Sequence, residues 1–253
     1  MATDDPYGSP LHYDLEYGEY RDDLAWYVQL ANRFGGPILE LGCGNGRITL
    51  ELARAGVNVH GIDANPRMLE DLASKLHAAP DEVRARVTSA RADFRALEVD
   101  PEYALALLPF NTIHHCRTHR DVLAVFAGLR RALRPGGRFA LDMYLPYPTL
   151  YERDPAERYG ECVFTDPRTG EPIESWEQSW YDPLEQLHRV TYSYDHGGGR
   201  VHEVRLVLRM FYPQEIRALV DWAGFDVIAE SGDFHGRPLG PRSTKWVAVL
   251  APR

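Results

Sequence analysis

The sequence predicts an α/β protein built on a doubly wound, mostly parallel seven-stranded sheet, with an antiparallel β insertion late in the chain. Three observations predict this fold. Short apolar runs alternate with amphipathic segments as far as Tyr144. A glycine-rich turn joins the first apolar run to the helix that follows it. Between Cys162 and Tyr212 the pattern changes to segments of alternating polarity, which are typical of antiparallel strands.

The first part of the chain contains five predicted strands and the helices between them. Asn65 and Thr118 are placed to accept hydrogen bonds from the first turns of two of these helices, and Pro66 favours a helix start. Short loops between alternating strands and helices predict parallel pairing with right-handed crossovers. The predicted strands are 37–41, 57–63, 87–92, 103–108 and 138–144. The predicted helices are 21–33, 47–55, one that begins after Asn65 and one that begins after Thr118 and stops before Pro135.

The insertion contains four strand-like segments, 162–165, 173–180, 187–194 and 202–212, with a turn at 195–199. After it, Pro213 opens a helix that Gly224 ends, and two strands follow at 227–230 and 246–250. We therefore expect one domain over residues 1–253. It comprises an N-terminal covering segment at 1–33 and an inserted antiparallel lid or homodimer element at 150–212.

Composition limits the class of partner. The formal net charge is −9, and no basic cluster is longer than Arg130–Arg131, so we expect a small-molecule partner and no nucleic acid. No apolar run has the length of a membrane span, and the N-terminus lacks a signal-peptide pattern. The three cysteines are far apart and in no metal-ligand spacing, which predicts reduced thiols and a cytoplasmic location.

The segment 39–47 carries the strongest functional pattern. A predicted strand runs into Gly42, Gly44 and Gly46, which let the backbone pass close beneath a ligand, and a helix N-terminus follows. Asp63 lies 21 residues beyond Gly42, at the end of the second strand, where a carboxylate reaches ribose hydroxyls. The sequence thus predicts an adenosine-type site. The alternative is a glycine-rich turn that arose by chance. The combination of a strand, a loop, a helix and an acidic residue at the expected spacing disfavours that alternative.

The glycine spacing G-x-G-x-G differs from the G-x-G-x-x-G of dinucleotide sites and resembles motif I of the class I S-adenosylmethionine-dependent methyltransferases. Residues 93–94, 108–111 and 134–137 resemble segments that follow the third and fourth strands and precede the fifth strand in that family. The late insertion, residues 110–116 and the Tyr-rich start are similar to amino-sugar N-methyltransferases of antibiotic pathways. The resemblance implies a Rossmann-like fold and S-adenosylmethionine as cofactor. It also implies methyl transfer to an amine or hydroxyl of a natural-product intermediate, such as an amino sugar.

The resemblance also implies which residues bind the cofactor. Asp63 would hold the ribose, Asp93 the adenine amino group, and Met68 would pack on the adenine unless it is simply a core residue. Glu40 would orient the glycine loop or the ligand amino group, and Tyr13 would close over the cofactor unless it anchors a surface helix. The implied set is Tyr13, Glu40, Gly42, Cys43, Gly44, Gly46, Asp63, Ala64, Met68, Asp93, Phe94 and Leu108.

His115 is the expected general base, with His114 as second choice. The segment 111–115 follows the fourth strand, on the side of the sheet where open α/β folds bind ligands. Imidazole has a pKa near neutrality, so we expect the rate to rise with pH through a group titrating near 6.5. The alternative is that His115 only packs near the next helix.

Aromatic residues of the insertion are the candidates for an acceptor site, although packing of the insertion itself would also explain them. Trp176, Trp180, Tyr192 and Tyr194 are expected to line a pocket, and Arg209 to meet an acidic acceptor.

We expect no metal, because the segment after the fourth strand lacks carboxylates and Asp142 stands alone in the fifth strand. A non-catalytic S-adenosylmethionine-binding protein is the alternative function. A nicotinamide-dependent oxidoreductase is disfavoured by the glycine spacing.

Overall fold

The computed structural model describes Tyr7 and residues 9–100 and 102–253, so expectations that rest on residues 1–6, 8 and 101 lie outside the described residues. The chain divides into two compact units. The core unit comprises Tyr20–Leu145 and Phe211–Arg253. The meander unit comprises the chain up to Glu19 and Pro146–Met210. The predicted N-terminal segment 1–33 is therefore divided between the two units.

The helices of the described residues are α1 (Pro10–Tyr17), α2 (Leu24–Phe34), α3 (Arg47–Arg54), α4 (Pro66–Ala78), α5 (Asp81–Arg84), α6 (His119–Ala132) and α7 (Pro213–Trp222). The strands of the core unit are β1 (Ile38–Leu41), β2 (Val59–Asp63), β3 (Val87–Arg91), β4 (Tyr103–Leu108), β5 (Leu133–Tyr144), β10 (Phe225–Ser231) and β11 (Lys245–Pro252). The strands of the meander unit are β6 (Tyr159–Thr165), β7 (Pro172–Asp182), β8 (Leu187–Asp195) and β9 (Val201–Arg209).

The sheet of the core unit has the order β10-β11-β5-β4-β1-β2-β3, which confirms the doubly wound fold. Strands β1 to β5 pair in parallel, and β11 pairs antiparallel with both β5 and β10. The chain winds from β1 outward to β2 and β3, and then returns to β4 beside β1. The carboxyl ends of β1 and β4 therefore flank the point where the strand order reverses, which is where open α/β sheets bind ligands.

Helices cover both faces of the central part of this sheet. On one face, residues of α6 and α7 such as Phe126 and Leu219 pack with Phe139 of β5 and Trp246 of β11. On the other face, α2 and α3 pack on the sheet in a cluster that includes Leu30 and Leu52. Strand β4 is buried along its whole length, as its continuous apolar run predicts.

The predicted helix caps are confirmed. The Asn65 side chain accepts hydrogen bonds from the backbone N–H groups of Arg67 and Met68. Thr118 and Asp121 form a capping box at the start of α6. Several boundaries differ from the prediction by a few residues. The largest difference is at β5, which begins at Leu133 rather than at residue 138, because Leu133 pairs with Tyr103 of β4 before the strand register shifts.

The meander unit is a four-stranded antiparallel sheet in the order β6-β7-β8-β9, as the alternating pattern predicts. Helix α1 contains Tyr13, for which a surface helix was the alternative to a cofactor-covering segment. It begins at Pro10 with Ser9 as its cap, and Leu15 packs on the cluster formed by Ile173, Tyr194 and Val204. No helix in the described part of the chain is long and apolar enough to cross a bilayer.

Candidate functional site

The glycine loop lies between β1 and α3 at the carboxyl edge of the sheet. Gly42, Gly44 and Gly46 all have left-handed backbones, with φ of 72°, 56° and 90°. Residues with a Cβ rarely adopt these angles, which explains the alternate glycines. The backbone N–H groups of Gly42 and Cys43 both donate to the carbonyl oxygen of Ile62, at 2.8 and 3.0 Å. The loop is thereby fixed against the end of β2.

The glycines also allow close packing around the loop. A Cβ on Gly42 would lie 2.8 Å from Cγ2 of Thr112, in the turn after β4. A Cβ on Gly46 would lie 2.4 Å from Cδ1 of Leu72 on α4. The methyl group of buried Met68 lies 3.3 Å from the place of a Cβ on Gly44. The glycines thus let side chains of α4 and of the turn after β4 pack directly on the loop backbone, and we call the loop with these neighbours the glycine cradle.

Asp63 ends β2 directly beside this cradle. Its Oδ2 accepts a hydrogen bond from the N–H of Gly44, and its Oδ1 accepts one from the N–H of Asn65, both at 2.8 Å. The carboxylate is partly exposed. Asn45 is buried, and its Nδ2 donates to Oδ2 of Asp71 on α4 at 3.1 Å. The structure therefore brings Asp63 to the glycine loop, where the sequence places it.

Glu40 lies under the loop and is almost completely buried. Its Oε2 accepts a hydrogen bond from the Thr49 hydroxyl of α3 at 2.7 Å. Burial raises the pKa of Glu40 to about 8, although the Thr49 hydrogen bond and the positive charge of Arg47 oppose the shift. Glu40 thus links β1 to α3 and holds a proton at neutral pH.

The turn after β4 is strained and tied to β5. Phe110 and Asn111 both have left-handed backbones, with φ of 53° and 62°, which residues with a Cβ seldom adopt. The Phe110 N–H donates to Oδ1 of Asp142 at 2.6 Å, and Oδ1 of Asn111 accepts from the Tyr144 N–H at 2.7 Å. The Tyr27 hydroxyl donates to the same Asp142 oxygen at 2.5 Å. Asp142 is therefore a buried support of the turn.

Arg47 joins the glycine loop, the turn after β4 and the start of α2. Its guanidinium makes two hydrogen bonds to the carboxylate of Asp23, at 2.8 and 2.6 Å. It also lies 4.3 Å from the ring centre of Phe110 and donates to the carbonyl oxygen of Tyr20 at 3.1 Å. The Arg47 side chain is 7% exposed and that of Asp23 is 0% exposed, so this ion pair is shielded from water.

The two histidines of the turn at Thr112–His115 have different surroundings. His114 is fully buried, and its ring centre lies 4.2 Å from that of Tyr144. His115 is only partly exposed, and burial lowers its pKa to about 4, with the positive charges of Arg117 and Arg95 adding to the effect. The expected titration of His115 near 6.5 is therefore wrong for this structure, and the imidazole is neutral throughout the physiological range.

The other residues implied in cofactor binding lie at or after the ends of their strands. Asp93 accepts from the backbone N–H of Arg95 at 2.9 Å, and the Arg95 guanidinium lowers the pKa of Asp93. Phe94 is partly buried, Ala64 is exposed and Leu108 is buried at the end of β4. Tyr13 lies on α1 in the meander unit, with its ring centre 5.2 Å from that of Tyr17. Their roles toward the cofactor stay predictions.

The expectation that Trp176, Trp180, Tyr192 and Tyr194 line one pocket is wrong. Side chains alternate between the faces of an antiparallel sheet, and the register places the two tryptophans on one face and the two tyrosines on the other. Arg209 shares the tryptophan face. The guanidinium of Arg189 lies 4.9 Å from the ring centre of Trp180, whereas Tyr192 is hydrogen-bonded to Tyr17 of α1.

Several residues that build the site have no signal in the sequence. Asp23, Tyr20 and Thr112 lie outside the glycine motif, and each reaches the site through a tertiary contact. Gly61 of β2 is a further example: a Cβ there would lie 2.8 Å from Sγ of Cys43. The glycine loop requires Gly61 as much as it requires its own glycines.

Comparisons with known proteins agree with this geometry. A family described as a methyltransferase domain matches residues 38–137, which run from β1 into β5. The cypemycin N-terminal methyltransferase of a Streptomyces species is 27% identical over 241 residues, which is 90% of this chain and 87% of that protein. The structure of the CcbJ methyltransferase from Streptomyces caelestis is similar, with a TM-score of 0.76 and 25% identity over 91% of this chain and 95% of that chain.

The fold is also shared with CalS10, an S-adenosylmethionine-bound amino pentose methyltransferase from Micromonospora echinaspora. The TM-score is 0.70 at 18% identity, and the match covers 97% of this chain and 98% of that chain.

We predict that removing one partner of the Arg47–Asp23 ion pair strongly destabilises the core unit. Asp23→Ala leaves the buried Arg47 guanidinium uncompensated, which typically costs about 3–5 kcal/mol. The double variant Asp23→Leu with Arg47→Met loses less, because no charge is left buried. Chemical denaturation measures both, and Arg54→Ala, which breaks an exposed pair on the same helix, is the control with an expected loss below about 1 kcal/mol. A single variant as stable as the Arg54→Ala control would contradict the prediction.

We predict that Glu40 makes stability fall as the pH rises from its ordinary pKa of 4.5 to about 8. Between these pH values the folded protein keeps the Glu40 proton and the unfolded chain has lost it. The contribution of Glu40 to the free energy of unfolding is therefore complete below pH 4.5 and has disappeared at about pH 8. The slope for one proton is about 1.4 kcal/mol per pH unit. The free energy of unfolding of the parent should fall relative to Glu40→Gln over this range. Parallel pH profiles would show that Glu40 is ionised in the folded state.

Proposed function

Because this chain is an S-adenosylmethionine-dependent methyltransferase, we propose that it methylates an amine of a small-molecule or peptide intermediate in natural-product biosynthesis. The observation that carries the proposal is the glycine loop held by Asp63 at the carboxyl edge of the sheet. The turn after β4, which contains His115, contacts this loop through Thr112. The relative that matches 90% of this chain methylates an N-terminus, according to its name, which supports an amine as acceptor.

The residues around the cradle fit S-adenosylmethionine. The glycine loop at Gly42, Gly44 and Gly46 would lie beneath the methionyl part, and the partly exposed carboxylate of Asp63 would accept hydrogen bonds from the ribose. Met68 lies beside Gly44, where the adenine would pack. When bound, the cofactor supplies a methyl group on a sulfonium, a leaving group that needs no metal activation. The residues Pro109–Asn111 contain no carboxylate for a cation, and the proposed reaction is accordingly metal-independent.

His115 favours an amine over a hydroxyl acceptor. An imidazole with a pKa of about 4 is too weak a base to ionise a hydroxyl, since even a phenol has a pKa of about 10. An uncharged amine already carries the lone pair that attacks the methyl carbon. The neutral ring of His115 accepts a hydrogen bond from the amine N–H, which orients that lone pair, and the ammonium formed by methylation loses its proton to water.

We predict that Asp63→Ala weakens S-adenosylmethionine binding by about ten- to a hundredfold. A charged acceptor of hydrogen bonds is worth about 1.5–3 kcal/mol. Calorimetry measures the affinity, and Asp71→Ala, which removes an acid that contacts Asn45 of the same loop, is the control for a general loosening of the loop. Equal affinities in Asp63→Ala and the parent would sink the assignment of the site.

We predict that His115→Ala lowers kcat by roughly 10²-fold and leaves the cofactor affinity nearly unchanged. The pH dependence of the rate near pH 6.5 should be the same in the parent and in His115→Ala, because His115 is neutral above about pH 4. His119→Ala, which removes an exposed histidine of the neighbouring helix, is the matched control.

The assay follows formation of S-adenosylhomocysteine and of methylated product by mass spectrometry, in the presence of a chelator. Acceptors are offered in pairs that differ only at the nucleophile: an amino sugar and its parent sugar, and a peptide with a free or an acetylated N-terminus. Turnover of the amine members alone supports the proposal. Preference for the parent sugar, or equal turnover of the acetylated peptide, would overturn N-methylation of an amine. No turnover of any acceptor, including a cell extract, would favour a non-catalytic cofactor-binding role.

A further inference from the structure

The core unit contains a cavity of about 760 Å³ outside the glycine cradle. Its walls are Tyr20, Asp22 and residues of the loop between β10 and β11, from Gly232 to Lys245. Cavities of this volume are typical of small-molecule sites. Neither the glycine motif nor His115 contributes to its walls.

The cavity lies on the same edge of the sheet as the cradle. Lys245 opens β11 and pairs with Tyr144 at the end of β5, and because β11 runs antiparallel to β5, its start lies at the carboxyl edge. Tyr20 supplies another wall, and its ring centre lies 5.7 Å from that of Phe110 in the turn after β4. The cavity therefore adjoins the turn that carries His115.

Basic side chains give the cavity its chemical character. Asp233 is already engaged, since its Oδ1 accepts from the backbone N–H groups of His235 and Arg237 and its Oδ2 pairs with the Arg237 guanidinium at 3.3 Å. By contrast, neither Arg242 nor Lys245 forms an ion pair or side-chain hydrogen bond with any part of the chain that the structure describes. Lys245 Nζ lies 5.5 Å from the ring centre of Phe234. The charge of Lys245 also acts on buried Asp142. The walls carry the cations Arg237, Arg242 and Lys245 against the acids Asp22 and Asp233, in a chain whose net charge is −9.

We propose that this cavity binds an anionic group of the methyl acceptor, a carboxylate or a phosphate, with Arg242 and Lys245 as its ligands. An arginine binds either group through two parallel hydrogen bonds, and a lysine adds a compact charge. The inference rests on the proposed function, because it assigns to the acceptor a charged group some distance from the nitrogen that is methylated. It narrows the acceptor to amines that carry an acid.

The test is calorimetric titration of pyrophosphate and, separately, of succinate into the protein saturated with S-adenosylhomocysteine. We expect at least one of the two anions to bind. Arg242→Gln and Lys245→Gln should each weaken that binding by tenfold or more, because each removes a charge-assisted hydrogen bond. Arg120→Gln, which removes an exposed arginine of α6, is the matched control and should leave the binding unchanged.

Each outcome bears on the inference. Binding of pyrophosphate alone indicates a phosphorylated acceptor, and binding of succinate alone indicates a carboxylated one. Binding of neither anion, or an equal loss in Arg120→Gln, overturns the inference. Displacement of S-adenosylhomocysteine by the anion also overturns the inference, because the cavity would then hold the carboxylate of the cofactor itself. A protein that binds the cofactor but no anion leaves the proposed function intact, whereas a protein that binds no cofactor contradicts the proposed function itself.

Discussion

The buried ion pair between Arg47 and Asp23 is the constraint on which the carboxyl edge of the sheet depends. Arg47 is the first residue of the helix that leaves the glycine loop, and Asp23 is the cap residue of α2. The same guanidinium lies over the ring of Phe110. One charged group thus fixes the start of two helices and the turn that carries His115. Because both charges are removed from water, neither position tolerates loss of its partner.

Strain and close packing are concentrated at the same edge. The left-handed residues Phe110 and Asn111 persist because Asp142 and the Tyr144 backbone hold them through hydrogen bonds. Gly42 approaches Thr112 so closely that no Cβ fits between them. The turn after β4 and the glycine loop therefore define each other's position. A cofactor bound on the loop would meet a turn whose geometry is already set, which reduces the cost of ordering the site on binding.

Burial also favours the uncharged form of three groups at this edge. It raises the pKa of Glu40 and Asp142 and lowers that of His115, so that in each case the uncharged form is favoured. Uncharged groups suit a reaction in which a cationic methyl donor meets an uncharged amine, because a neutral histidine can accept a hydrogen bond from the amine N–H and a charged one cannot. The cations of the neighbouring cavity, by contrast, lie at a more exposed place, where charge costs less to maintain.

The sequence alone determined the doubly wound sheet, its caps, the glycine loop with Asp63 and the antiparallel meander, because each depends on local backbone preference or on residue periodicity. Tertiary structure decided the rest. Asp23 and Thr112 reach the loop from distant parts of the chain, and no local pattern encodes such contacts. The four aromatic residues of the meander separate onto two faces once the strand register is set. The pKa of His115 likewise follows from burial and from neighbouring arginines, which only the folded chain brings around the ring.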